Sequence, residues 1–199
     1  MTTALPPNIG PALTGLARQT IADALAGRAR PDPSALWSGG VAPDEAAEWL
    51  ARPGAAFVTL TQGGELRGCI GSLVAHQPLR EDVRQNALAA AFEDRRFPPL
   101  ATEELIRTRI EVSVLSAPER LEFSDHADLV GRLRPGVDGL ILQAGGRRGT
   151  FLPQVWDQLP APERFLAHLV RKAGLPEGYW SEQVRIWRYT VTSFEEAPP

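Results

Sequence analysis

The sequence predicts an α+β fold, a largely antiparallel sheet flanked by helices. Short strand-like runs come in pairs around glycine turns, AAFVTL with LRGCIG about QGGE and the two halves of GVDGLILQAGGRRGTFL, and that is hairpin chemistry. Stretches with apolar residues at helical spacing separate these pairs. Hairpins therefore dominate the strand connections, and a doubly wound parallel sheet is the weaker reading.

Taken in order, Leu13, Leu16, Ala17, Ala24 and Leu25 mark an amphipathic first helix that stops before Gly27. Residues 28–43, thick in Pro, Gly and Ser, read as a surface loop, and 44–51 as a short helix. In the first hairpin Gly63 and Gly64 can take the positive φ of a tight turn. Pro78 suits a first helical turn; Leu79, Val83, Ala87 and Ala90 then form an apolar stripe, and Arg80, Glu81, Asp82 and Arg84 are expected to face away. Over 109–116, Ile110, Val112 and Val114 alternate with Glu111, Ser113 and Leu115, a strand with one apolar and one mixed face. Residues 124–133 read as a helix with Asp125 and Asp128 near its start, followed by the second hairpin. Phe165, Leu166, Leu169, Val170 and Ala173 line a last helix stopped by Gly174, and 184–194 is expected to be one closing strand.

A chain of 199 residues, 43% hydrophobic and 23% charged, is expected to form a single domain whose core needs neither disulfide nor metal. Its net charge of −3 sets up no field for a phosphate backbone, so bulk nucleic-acid binding is not expected. Cys69 is the only cysteine and has no intrachain partner, which suits a reducing compartment. No cationic, apolar leader opens the chain and no apolar run approaches a membrane span, so a cytoplasmic protein without membrane attachment is expected.

Cys69 is the leading candidate for chemistry. Two residues apart on a strand, Arg67 and Cys69 would share a face, and a guanidinium there favours the thiolate. Gly68 and Gly71 would let a ligand approach the backbone, whose N–H groups can meet a developing negative charge. On residue types alone, the competing reading makes Cys69 a small buried hydrophobe and its glycines the mark of a bulge. Glu111 is the candidate proton carrier if it shares a cleft with the thiol, and a solvated carboxylate otherwise. Asp94 and Arg96 can form a pocket rim or a structural ion pair, while Arg148, in GGRRGT, can bind an anion or mark a hairpin tip. His76, His126 and His168 are scattered without metal-ligand spacing, so no metal centre is expected. Trp37, Trp49, Trp156, Trp180 and Trp187 are many for this length; Trp37, in its Gly-rich loop, is the one expected at an interface.

LRGCIGSL, PLREDVRQNALAAAF, EDRRFPPL, IEVSVLS, GVDGLIL, GRRGTFLPQVW and HLVRKAGLP, in this order, closely resemble the AMMECR domain family, whose bacterial and archaeal form is the AmmeMemoRadiSam system protein A. The resemblance is strongest over residues 55–194, and Arg67, Gly68, Cys69 and Gly71 match the family signature. It implies an α+β fold with a larger and a smaller lobe, and an association with a Memo-like protein and a radical SAM protein. It names neither a reaction nor a cofactor. Two functions stay open. One is a cysteine-dependent enzyme with Cys69 as nucleophile, Arg67 as activator and Glu111 or a histidine as proton carrier. The other is a non-catalytic ligand-binding or adaptor component.

Overall fold

A computed structural model describes residues 5–6, 9–28 and 43–196. The chain divides into two compact units, residues 1–115 with 192–199 and residues 116–191. The surface loop expected over 28–43 and Trp37 within it lie, but for Arg28 and Pro43, outside the described residues.

The first unit contains α1 (Ile9–Leu25), α2 (Pro43–Ala51), the short strands β1 (Pro53–Gly54) and β4 (Gln77–Pro78), and the hairpin of β2 (Ala56–Gln62) and β3 (Glu65–Gly71). It continues with α3 (Leu79–Phe92), a 3-10 turn (Thr102–Arg107) and β5 (Arg109–Leu115), and takes back β10 (Val191–Glu195) from the end of the chain. The sheet order is β10-β5-β2-β3, with β2 antiparallel to both neighbours, so β3 is an edge strand. Gly63 and Gly64 turn the hairpin at φ of 59° and 85°, a region closed to most other residues. Ala56, Val58, Leu60, Ile110, Val112 and Val114 turn one sheet face toward Leu13, Leu16 and Ile21 of α1 and Leu79, Val83, Ala87 and Ala90 of α3. The opposite face carries Thr59, Cys69, Glu111 and Ser113.

The α3 stripe is as expected, but its polar face is not. Pro78 is the residue before the helix rather than in its first turn, and Asp82 and Arg84 are buried at 0% and 5% exposure. The cause is a polar lock: Asp82 accepts hydrogen bonds from the Ala56 N–H at 2.8 Å, Asn86 Nδ2 at 3.0 Å and Gln77 Nε2 at 3.2 Å, which ties α3 to the start of β2. In α1, Ala24 is exposed rather than in the core.

The second unit holds β6 (Glu119–Leu121), α4 (His126–Arg132), the hairpin of β7 (Gly139–Ala144) and β8 (Arg147–Phe151), a 3-10 turn (Pro153–Asp157), α5 (Pro162–Lys172) and β9 (Arg185–Tyr189). Its sheet, β6-β9-β7-β8, is antiparallel throughout. Asp125 caps α4 by accepting the Asp128 N–H, and Gly174 follows α5 at φ 74°. The single closing strand expected over 184–194 is two strands in two sheets, β9 and β10. Of the described tryptophans, Trp156, 2% exposed, stacks on Phe165 and donates to the Asp138 carbonyl, and Trp49, on α2, packs against the first core. Among the described residues, no helix is long and apolar enough to cross a membrane.

Candidate functional site

Cys69 sits on β3, partly exposed, where the sheet ends. Its N–H points away from β2 and donates to Asp94 Oδ2 at 3.0 Å, while its carbonyl accepts from Arg96 Nη2 at 3.2 Å. The two side chains are bound to each other, Arg96 Nη2 to Asp94 Oδ2 at 2.6 Å and Nε to Oδ1 at 2.9 Å. Asp94 and Arg96 therefore stand where the next strand would stand, closing the open edge at this residue. Sequence order brings this about locally: Leu100 N–H reaches back to Ala91 at the end of α3, and the intervening loop folds over the edge. The Arg96 guanidinium, first among the causes, holds the Asp94 carboxyl well below the usual carboxylate range.

Since the Cys69 N–H faces outward, Cys69 and Thr59 form a narrow, non-hydrogen-bonded cross-strand pair. Thr59 Oγ1 accordingly reaches Sγ at 3.4 Å and donates to it. Thr59 pairs on its other side with Glu111, so Cys69 and Glu111 are about 10 Å apart at Cα, on one face but out of contact. The Glu111 carboxylate accepts from Ser113 Oγ at 2.8 Å, which in turn bonds Ser193 Oγ at 2.8 Å.

Arg67 is not hydrogen-bonded to the thiol. The ladder pairs Leu60 with Gly68 and Thr61 with Leu66, which leaves Arg67 as the extra residue of a bulge and breaks the two-residue period on which the shared face depended. Its guanidinium instead grips Glu104, Nε to Oε1 at 3.1 Å and Nη2 to Oε2 at 3.0 Å, and donates to the Pro99 carbonyl. The Phe97 ring centroid lies 6.0 Å from Arg67 Cζ and 5.5 Å from Arg96 Cζ. The cation at Cys69 is thus Arg96.

The glycines of the motif answer to packing. A Cβ on Gly68 would lie 2.2 Å from the Ala90 carbonyl oxygen of α3, and one on Gly71 would lie 2.2 Å from the Phe57 ring. Arg148 is exposed on β8 of the second unit, paired with Gln143. His76 is exposed with Nδ1 on the Val74 carbonyl, and His126 lies edge-on to Trp180 in the second unit. Among the described residues, no three His, Cys, Asp or Glu side chains group as metal ligands, and no carboxylate or imidazole hydrogen-bonds Sγ.

The residues added by the structure are Thr59, Phe97 and Glu104. Thr59 is the polar interruption of AFVTL directly across from Cys69, a signal present in the sequence once the hairpin is drawn in register. Glu104 lies 37 positions from its arginine, with no local signal. Its two Arg67 bonds, with the Ala101 N–H, pull its pKa from 4.5 down to about 2. A carboxylate whose folded pKa is depressed stabilises the fold above its ordinary pKa and loses that contribution as pH falls toward the folded value. Glu104→Gln should therefore lower stability at pH 7 by on the order of 1–2 kcal/mol after solvent screening and flatten the acid limb between about pH 5 and 2. Urea unfolding at several pH values measures this; parallel curves for the two proteins would refute it.

With this geometry in place, comparison with known proteins identifies the family. The AMMECR1 family model matches residues 14–194. The chain belongs to the AMMECR1 family. A relative from Methanothermobacter thermautotrophicus is 43% identical over 146 residues, covering 70% of this chain and 74% of the relative. Protein MJ0810 of Methanocaldococcus jannaschii is 42% identical over 141 residues, 68% of each chain. The crystal structure of the uncharacterized protein PH0010 from Pyrococcus horikoshii shares the fold, with a TM-score of 0.75 and 34% identity over 94% of this chain and 91% of that one. The AMMECR1 fold thus agrees with the α+β expectation.

Proposed function

We propose that this chain is a binding component of an AmmeMemoRadiSam-type system, presenting Cys69 to a Memo-like or radical SAM partner, rather than a self-sufficient catalyst. The observation that supports this reading is the set of contacts on Cys69. Asp94 and Arg96 fix its backbone, the residue is half-buried, and Thr59 Oγ1 donates to its sulfur. A catalytic thiol needs a base within hydrogen-bond reach, and Arg67, the expected activator, is committed to Glu104. A rigidly held thiol without its own base suits contact with a partner that completes the site. Such a thiol stays reduced in the cytoplasm, where we place the protein.

One observation favours the enzyme reading: Glu111 shares a sheet face with Cys69 at about 10 Å, a span that a bound substrate could bridge. The two readings part in one experiment. The chain is alkylated at Cys69 with iodoacetamide and passed, beside untreated protein and Cys69→Ser, over purified Memo-like and radical SAM proteins. The untreated chain should bind at least one of them, and alkylation should weaken that binding at least tenfold. Equal binding by alkylated and untreated protein removes the contact role.

A further inference from the structure

A cavity of about 490 Å³ lies in the first unit away from Cys69, between α1, the end of the 3-10 turn, the start of β5 and the end of β10. Its floor is fixed by Arg18, which binds Glu196 Oε2 at 2.6 Å and the carbonyls of Leu105 and Thr108 at 3.1 and 2.6 Å. Glu196 also accepts the Ile110 N–H, so this pair is internally satisfied and leaves no charge for a ligand. The walls are more apolar than polar, with Pro11 on one side and Ile106, 83% exposed, on the other. Ile106 thus sets exposed apolar surface beside the cavity.

Gly15 lines the cavity. It lies inside the 17-residue helix α1, where glycine costs about 1 kcal/mol relative to alanine. The other close-packed glycines explain themselves: a Cβ at Gly10 would strike Phe194, and one at Gly68 the Ala90 carbonyl. At Gly15 an added Cβ meets nothing within 4 Å, and its φ is not in the left-handed region. Neither packing nor backbone conformation calls for glycine here; its effect is to keep one wall clear. At the mouth stand two further arginines. The Arg109 side chain makes no hydrogen bond or ion pair among the described residues, and that of Arg107, 67% exposed, has only a 3.9 Å contact with Glu104, itself held by Arg67. Against them the lining sets one unpaired acid, Glu195, on a chain whose net charge is −3.

We propose that this cavity binds a small amphiphilic anion, its apolar body between Pro11, Gly15 and Ile106 and its acidic group toward Arg107 and Arg109. The size is that of a small-molecule site, and an apolar wall with a few convergent charges is the usual composition of one.

The test uses the fluorescent amphiphilic anion 1-anilinonaphthalene-8-sulfonate on the full chain, with decanoate and decyltrimethylammonium as competitors. The dye should bind saturably, and decanoate should displace it while the cation of equal chain length does not. Gly15→Leu, which fills open space and raises helix propensity, should fold at least as well as the parent and lose binding at least tenfold. Arg107→Glu with Arg109→Glu should weaken binding at least fivefold, and Arg148→Glu in the other unit should not. Absence of dye binding, equal displacement by both amphiphiles, or unchanged binding in Gly15→Leu would each overturn the proposal. So would a dimeric parent made monomeric by Gly15→Leu, which would give the cavity to a second copy of the chain.

Discussion

Gly68→Ala is expected to cost the fold about 3 kcal/mol, at the upper end of what one added methyl costs in a packed interior. The new Cβ would meet the Ala90 carbonyl oxygen at 2.2 Å, and both partners are backbone, so no side chain can rotate away. Either α3 lifts from β3 or the edge strand leaves β2, and both movements open the core made by Leu60, Ala87 and Ala90. Gly71→Ala meets Phe57 Cγ at 2.2 Å instead, and since Cγ lies on the axis of ring rotation, relief needs a change of χ1; a side chain can make that move and the Ala90 carbonyl cannot, so the cost should be less. Urea denaturation of the two variants against the parent gives the comparison. A loss under 1 kcal/mol at Gly68, or a larger loss at Gly71, would show that α3 does not constrain the motif in this way.

Asp94→Ala is expected to lower stability by about 2 kcal/mol, because it strands the Cys69 N–H and removes both carboxylate oxygens from Arg96. Asp94 is 7% exposed, so water replaces only part of what is lost. Arg96→Ala should cost less than half as much, since the Arg96 side chain is 56% exposed and the Cys69 N–H keeps its acceptor. The depressed Asp94 pKa adds a sign: the clamp contributes fully above the ordinary aspartate range and is lost only in strong acid, so the difference between parent and Asp94→Ala should shrink as pH falls below about 4. Equal losses at Asp94 and Arg96, independent of pH, would mean that the carboxylate is not what holds the strand edge.

The local chemistry of the chain made much of this legible. Turn glycines at 63–64 and 145–146 announce both hairpins because few other residues adopt their φ values. The apolar stripe of α3 announces the helix. What escaped was chemistry that depends on distant partners. Asp82 reads as solvent-facing until the Ala56 N–H, 26 residues earlier, is brought against it. The bulge at Arg67 depends on how β3 registers with β2, and without it a two-residue period aims the guanidinium at the wrong neighbour. Asp94 and Arg96 were legible as an ion pair, but their hold on Cys69 is made through backbone atoms, which no residue pattern encodes. The break at Thr190 is hidden for another reason: β9 and β10 are equally strand-like, and only sheet membership separates them.

If Asp94 and Arg96 hold Cys69 so that its thiol is offered at the surface, the intact mass of the native protein after iodoacetamide treatment will show it. One carboxamidomethyl group is expected, on Cys69, without denaturant, and none on Cys69→Ser. A parent protein that takes up the label only after unfolding would contradict it and return Cys69 to the core.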